Sequence, residues 1–299
     1  MTASKPAAYQ QAVYEELREL ARDYFDFHWH DLPVRPRTAV LIAAASGAGK
    51  TFLARHLAAE LRLPLLDLQY ANWVVTGATS RGAARTLALL YRFVQENERG
   101  VILFDEADKL GVDDGGSDWT RAVHIEAFSV LDKRIVDGVV EAIAQDPDQS
   151  TLILTRKELQ QKFVRGFFLV GCGAWQELWS HQATVGFTCG SSPTHSRPAH
   201  KEFLSTLRPE ILNRFRSDIL VIPPLTRKEY WELLTETFAR LPLEYQEPMA
   251  LAARETIDQA LEIRKGFRWI EELLASAIRT LRHSQMQQQH QHPEWRGPW

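Results

Sequence analysis

Apolar residues recur along this chain in two periods, and the alternation of those periods outlines a fold. Between residues 9 and 29, Tyr14, Leu17, Leu20, Ala21 and Phe25 fall at the spacing of one helical face, and Pro33 and Pro36 then end any helix. Val40-Leu41-Ile42-Ala43 follows as an unbroken apolar run of strand length. Comparable runs occur from Leu63 to Leu66, Val101 to Phe104, Phe167 to Val170 and Ile219 to Ile222, with room for helices between them. One such helix continues Phe52, Leu53, Leu57 and Leu61 on a single face. Continuously apolar strands that alternate with helices are what a parallel sheet needs when both its faces are covered. The pattern therefore predicts an α/β fold around a five-stranded parallel sheet.

After Pro223-Pro224 the strand pattern stops. Thr226 and Glu229 stand at capping-box spacing ahead of an amphipathic stretch from Tyr230 to Leu241, and Ile257–Ile263 and Trp269–Leu281 predict further helices, with Pro242 and Pro248 as punctuation. The expected organisation is a helical lead-in over 1–34, a large α/β unit over 35–224 and a small all-helical unit over 225–283. Residues 284–299 are polar, glutamine-rich and without apolar period, so disorder is expected there. Val139-Val140 and Leu152-Ile153-Leu154 flank Asp146-Pro147-Asp148, which predicts a β-hairpin.

Composition narrows the options without deciding among them. A 45% hydrophobic and 24% charged chain of 299 residues is that of a water-soluble globular protein with a sizeable core. The net charge of −3 provides no global attraction to nucleic acid. Two cysteines, Cys172 and Cys189, exclude a disulfide scaffold and a four-cysteine zinc site. The first residues carry no apolar signal core and no segment has 18 consecutive apolar residues, so a cytoplasmic location without membrane insertion is expected. His283, His290 and His292 lack a carboxylate or cysteine at ligand spacing and are read as a solvated tail.

The chemistry begins at Ala44-Ala45-Ser46-Gly47-Ala48-Gly49-Lys50-Thr51, directly after the first apolar run. Its glycines let backbone N–H groups of Ala45, Ser46, Gly47, Ala48 and Gly49 curl around a polyphosphate at a helix N-terminus. Lys50 is then expected to reach the β- and γ-phosphates and Thr51 to ligate Mg²⁺. Ala44 stands where such loops usually have their first glycine. The run Val101 to Phe104 ends in Asp105-Glu106, a second acidic motif at a strand end. Asp105 is expected to hold Mg²⁺ and Glu106 to polarise an attacking water.

Two arginines extend the set: Arg214 closes Leu207-Arg208-Pro209-Glu210-Ile211-Leu212-Asn213-Arg214-Phe215 before the fifth strand, and Gly266-Phe267-Arg268 opens the last helix. In this order the four motifs resemble the AAA+ ATPases, in the branch of the Clp and HslU unfoldases, over roughly residues 35–282. The resemblance implies ATP and Mg²⁺ as ligands, a homo-oligomeric ring, expected to be a hexamer, and the remodelling of a macromolecular partner. It also implies that Arg214 is a finger entering the neighbouring subunit's site and that Arg268 senses the γ-phosphate. Within the branch, ClpX-type proteins carry an N-terminal zinc module, which is not expected here because the sequence has neither the length nor the cysteines for it, and an aromatic pore loop where this chain has Ala78. Trp73 is the alternative for that contact if the register shifts, and Arg81 is the candidate to meet a phosphate backbone instead. Val185-Gly186-Phe187 falls where such proteins dock a peptidase, and Gly171-Cys172-Gly173-Ala174 supplies no Asn or Thr as a first phosphate sensor. The missing aromatic, with Arg156, Lys157, Lys162 and Arg165, leaves open a scaffold or loader acting on DNA instead of a protein client.

Overall fold

A computed structural model describes residues 5–26, 36–77, 82–111, 118–145, 153–180, 202–203 and 209–291. All five predicted strands form: β1 (Val40–Ala43), β2 (Leu65–Gln69), β3 (Gly100–Asp105), β4 (Phe167–Gly173) and β5 (Ile219–Val221). They pair in parallel in the order β2-β3-β4-β1-β5. The three inner strands are buried almost throughout, as their unbroken apolar runs require. β2 lies at an edge and alternates, with Leu66 and Leu68 inward and Asp67 turned to Arg55 at 2.6 Å. The register levels the strand ends, because Ala43 pairs with Gly173 and Asp105 with Cys172. Phosphate loop and acidic motif thus leave the sheet along the same C-terminal edge, where open α/β sheets bind ligands.

Helices α1 (Gln11–Asp26), α2 (Lys50–Glu60), α3 (Tyr70–Gly77), α4 (Gly82–Glu96), α5 (Asp118–Leu131), α6 (Asp137–Gln145) and α7 (Arg156–Gly166) complete this unit. α1 buries Val13, Tyr14, Leu17, Ala21 and Tyr24, the face its spacing marks out. Tyr24 donates to the Val164 carbonyl at 2.6 Å and so ties α1 to α7. The expected hairpin is corrected at its first strand. Val139 and Val140 lie in α6, whose apolar residues Val139, Val140 and Ile143 fall on a helical period rather than alternating, with Asp137 in the first turn. The Asp146-Pro147-Asp148 tip lies outside the described residues.

By internal contacts the chain divides into one unit of residues 1–44 and 50–223 and another of residues 45–49 and 224–299. The second is helical, with Arg227–Phe238, Leu243–Glu262 and Arg268–Gln291. The capping box forms: Glu229 N–H donates to Thr226 Oγ1 at 3.3 Å and Thr226 N–H to Glu229 Oε2 at 2.7 Å. Tyr230 and Trp269 meet edge to face at 5.1 Å, and Met249, Ala253, Ile257, Ala260 and Leu273 are buried with them. Two expectations shift here. Pro248 does not end a helix but sits in the second turn of Leu243–Glu262, where its missing N–H removes one bond near the terminus. The last helix continues to Gln291, eight residues into the segment expected to be disordered. Gln and Met are good helix formers, and extending an established helix avoids the cost of nucleation.

Candidate functional site

At the C-terminal edge of the sheet, four of the predicted residues come together. Lys50 is buried and donates from Nζ to the Ala44 carbonyl at 2.8 Å, while Ala44 N–H reaches the Gly173 carbonyl of β4 at 3.3 Å. Thr51 Oγ1 lies 2.7 Å from Asp105 Oδ2, although 54 residues separate them in sequence. The other Asp105 oxygen accepts from Glu106 N–H at 2.9 Å. A hydroxyl and a carboxylate so close present two oxygens of the kind a hard divalent cation takes, and this pair fits Mg²⁺.

Glu106 is the unusual residue of the group. Its φ of +63° puts a non-glycine residue in the left-handed region, at a cost of order 1–3 kcal/mol that such residues carry where structure around them fixes the chain. The turn is fixed by Lys109 N–H donating to the Glu106 carbonyl at 3.0 Å. The carboxylate accepts from Lys109 Nζ at 2.7 Å and from Ala71 N–H, in the first turn of α3, at 3.2 Å. Trp73, one turn along α3, is 1% exposed and donates to Glu126 of α5 at 2.9 Å. Burial raises the Glu126 carboxyl above its ordinary value, partly offset by that bond. Trp73 is therefore a core residue here. Ala78 and Arg81 lie outside the described residues.

In the second unit, loop 45–49 meets the turn before the last helix. Gly47 and Gly266 both have positive φ, +79° and +59°, and Phe267 N–H donates to the Gly47 carbonyl at 2.8 Å. A Cβ on Gly266 would stand 2.5 Å from that carbonyl oxygen, and one on Gly47 would stand 2.3 Å from the Lys265 carbonyl and 3.3 Å from Arg268 Cγ. Neither position tolerates a side chain without moving backbone. Arg268 and the loop are thereby neighbours.

Arg214 stands elsewhere. It follows the short helix Pro209–Leu212, and Arg216 N–H donates to the carbonyl of Ala39, the residue before β1 begins. That is the N-terminal edge of the sheet. A cleft of about 160 Å³ there is lined by Arg37, Thr38, Asp132, Lys133 and Arg214 among others. Lys133 is buried, donates to Tyr24 Oη at 2.9 Å and Thr38 Oγ1 at 3.2 Å, and is pushed well below its ordinary value by burial.

Other predicted features carry less. Cys172 is wholly buried, and burial pushes its thiol up, beside Asp105. Arg156 pairs with Asp137 at 2.5 Å and Lys162 with Glu98 at 2.9 Å, so two of the four basic residues near α7 are engaged within the unit. Val185-Gly186-Phe187 and Cys189 lie outside the described residues. Among the described residues no cluster of three or more His, Cys, Asp or Glu residues is arranged to hold a metal, and no helix is long and apolar enough to cross a membrane.

Residues 40–163 match the family described as ATPases associated with various cellular activities, AAA. That span holds the phosphate loop, the acidic motif and the first three strands in chain order, β1, β2 and β3. The five-stranded parallel α/β core with a helical unit after it is consistent with an AAA+ ATPase core. Among curated proteins, the chain is 25% identical over 271 residues to the ATP-dependent Clp protease ATP-binding subunit ClpX of Azotobacter vinelandii, covering 81% of this chain and 61% of that protein. It is 23% identical to the ClpX subunit of Porphyromonas gingivalis over 275 residues, 81% of this chain and 65% of the other. A second ClpX of Wolinella succinogenes is 22% identical over 262 residues, 80% and 64% of the two chains. This chain thus spans less than two thirds of the length of these Clp-like relatives.

Sequence reasoning missed the neighbours of the chemical groups. Ala71 at Glu106, and Asp132 and Phe128 at Arg214, belong to no motif, while Lys109 closes the stretch Asp105-Glu106-Ala107-Asp108-Lys109 without a role assigned to it. Lys109 was within reach, since a basic residue three positions after an acidic one in a helical turn is a pairing signal. Asp132 gave no signal, being 82 residues from Arg214.

Proposed function

We propose that this chain hydrolyses ATP in a Mg²⁺-dependent reaction at the interface between subunits of a homo-oligomeric ring, six by its likeness to the Clp proteins, and uses the energy to remodel a protein partner. The observation that carries the reading is the 2.7 Å approach of Thr51 Oγ1 to Asp105 Oδ2, with Lys50 immediately before one and Glu106 immediately after the other. Thr51 and Asp105 would hold the Mg²⁺, which supplies charge neutralisation on the phosphate oxygens. Backbone N–H groups of Ala45 to Gly49 cradle the phosphates, and Lys50 exchanges the Ala44 carbonyl for β- and γ-phosphate oxygens. Glu106 leaves Lys109 and the Ala71 N–H to orient water and take its proton. Arg268, beside loop 45–49, contacts the γ-phosphate and links its presence to the helical unit.

Arg214 serves the neighbouring subunit's ATP. What supports this is the sheet: β1 alone spans about 13 Å at ~3.3 Å per residue, and it runs between the edge that holds Arg214 and the edge that holds Lys50. The relatives' names as ATP-binding subunits of a Clp protease favour a protein as the partner. The engagement of Arg156 and Lys162 in ion pairs removes part of what favoured DNA.

Replacing Glu106 by Gln tests the assignment. The variant is expected to bind ATP like the parent while its steady-state hydrolysis falls about 10²- to 10⁴-fold, the usual range for a lost general base. Equal turnover by the two proteins would remove Glu106 from the mechanism.

A further inference from the structure

We propose that Asp132, with Phe128, is the positioning clamp of Arg214, presenting one edge of its guanidinium to the neighbouring subunit; this rests on the reading of Arg214 as the finger. The backbone around Arg214 is already fixed. Phe215 is 2% exposed and packs where β4 has Gly171, since a Cβ there would come within 2.7 Å of the Phe215 ring. Arg216 N–H is bound to Ala39, and Arg214 N–H to the Ile211 carbonyl at 3.0 Å. What remains free is the side chain, and a long arginine has many rotamers to lose.

The clamp removes that freedom with three contacts. Arg214 Nε donates to Asp132 Oδ2 at 3.2 Å, Nη1 donates to the Glu210 carbonyl, and the Phe128 ring lies under the guanidinium carbon at 4.3 Å. Among the described residues no bond is made by Nη2, so one nitrogen edge is left to meet a phosphate. The second oxygen of Asp132 is held by Arg37 Nη1 at 3.4 Å, which keeps the carboxylate aimed at Arg214. Asp132 and Phe128 belong to one segment, α5 and the turn after it, where Asp132 N–H donates to the Phe128 carbonyl at 2.9 Å. The clamp is a single rigid piece. Preorganising a charged donor before the transition state is worth rate, because a displacement of about 1 Å can cost about 10²-fold.

Asp132 touches no reacting atom, so the test separates positioning from general damage. ATP affinity and steady-state hydrolysis are measured for full-length Asp132→Ala, Asp132→Asn, Arg214→Ala and the Asp132→Ala/Arg214→Ala pair. Asp132→Ala is expected to lose about 10- to 100-fold in kcat with ATP affinity unchanged. Asp132→Asn, which keeps an acceptor oxygen, is expected to lose less. In the Arg214→Ala background the Asp132 change is expected to cost nothing further, because both residues act through one guanidinium. Parental turnover by Asp132→Ala alongside a crippled Arg214→Ala overturns the clamp and leaves the finger standing. A full additional loss in the double variant, or a loss of ATP affinity in Asp132→Ala, overturns it in favour of a structural role. Parental turnover by Arg214→Ala instead overturns the finger itself.

Discussion

The two edges of the central sheet are built in opposite ways. At the C-terminal edge, Lys50, Thr51, Asp105 and Glu106 come from two strand ends, each motif a continuous stretch of sequence directed by the strand before it. At the N-terminal edge, Arg37, the Phe128–Asp132 pair and Arg214 come from three separated segments and meet only because the sheet and α5 bring them together. In the proposed reading the first edge handles the nucleotide bound to its own chain and the second lends a cation to another chain. A residue lent to a neighbour receives no help from its partner until assembly, so it has to be held by its own subunit beforehand. The N-terminal edge does this through a salt bridge, a ring face and a carbonyl.

Changes at the two edges should therefore fail differently. Arg214→Ala should lower hydrolysis most, by roughly 10³-fold given what trans arginines contribute in GTPases, with ATP binding intact in a titration with fluorescent nucleotide. Gly266→Ala reaches the phosphate loop from the helical unit. A left-handed backbone costs a side chain about 1–2 kcal/mol, and loss of the Phe267–Gly47 bond should weaken ATP binding by about tenfold. Thermal unfolding and the same titration would register both changes, and an unaltered affinity would separate that contact from nucleotide binding. The smallest effect is expected at Lys133. Burial lowers its folded pKa below the ordinary 10.5, so the unfolded chain binds the extra proton and stability rises with pH between the lowered and the ordinary value. Lys133→Met titrates in neither state. Its unfolding free energy should lack that slope, at most about 1.4 kcal/mol per pH unit, in urea titrations across alkaline pH.

Much of the fold was legible because burial on both faces writes itself as unbroken apolar runs. Val101 to Phe104 and Phe167 to Val170 needed no further context, and the Thr226–Glu229 box marked a helix start to the residue. The hairpin failed where two adjacent valines satisfied strand propensity but the register of Val139, Val140 and Ile143 satisfied a helix. The C-terminal helix ran past its expected end because glutamines lack an apolar face yet sustain a helix already begun. At the candidate site, the groups that would touch the phosphates stood in motifs, since loop geometry demands particular residues at fixed spacing. The groups that aim them, Ala71 and Asp132, use a backbone N–H and a common surface carboxylate, for which any number of residues would have looked equally suitable.

The central claim, that one subunit's N-terminal edge completes another's C-terminal edge, is tested most directly by mixing two inactive proteins. Lys50→Ala keeps Arg214 but loses its own phosphate contact, and Arg214→Ala keeps a whole nucleotide site but has no finger to lend. Each alone should hydrolyse ATP at background rate, and the mixture should regain a clear fraction of parental activity wherever an intact Arg214 stands beside an intact Lys50. A mixture as inactive as its components, under conditions in which the two are shown to co-assemble, would contradict the account.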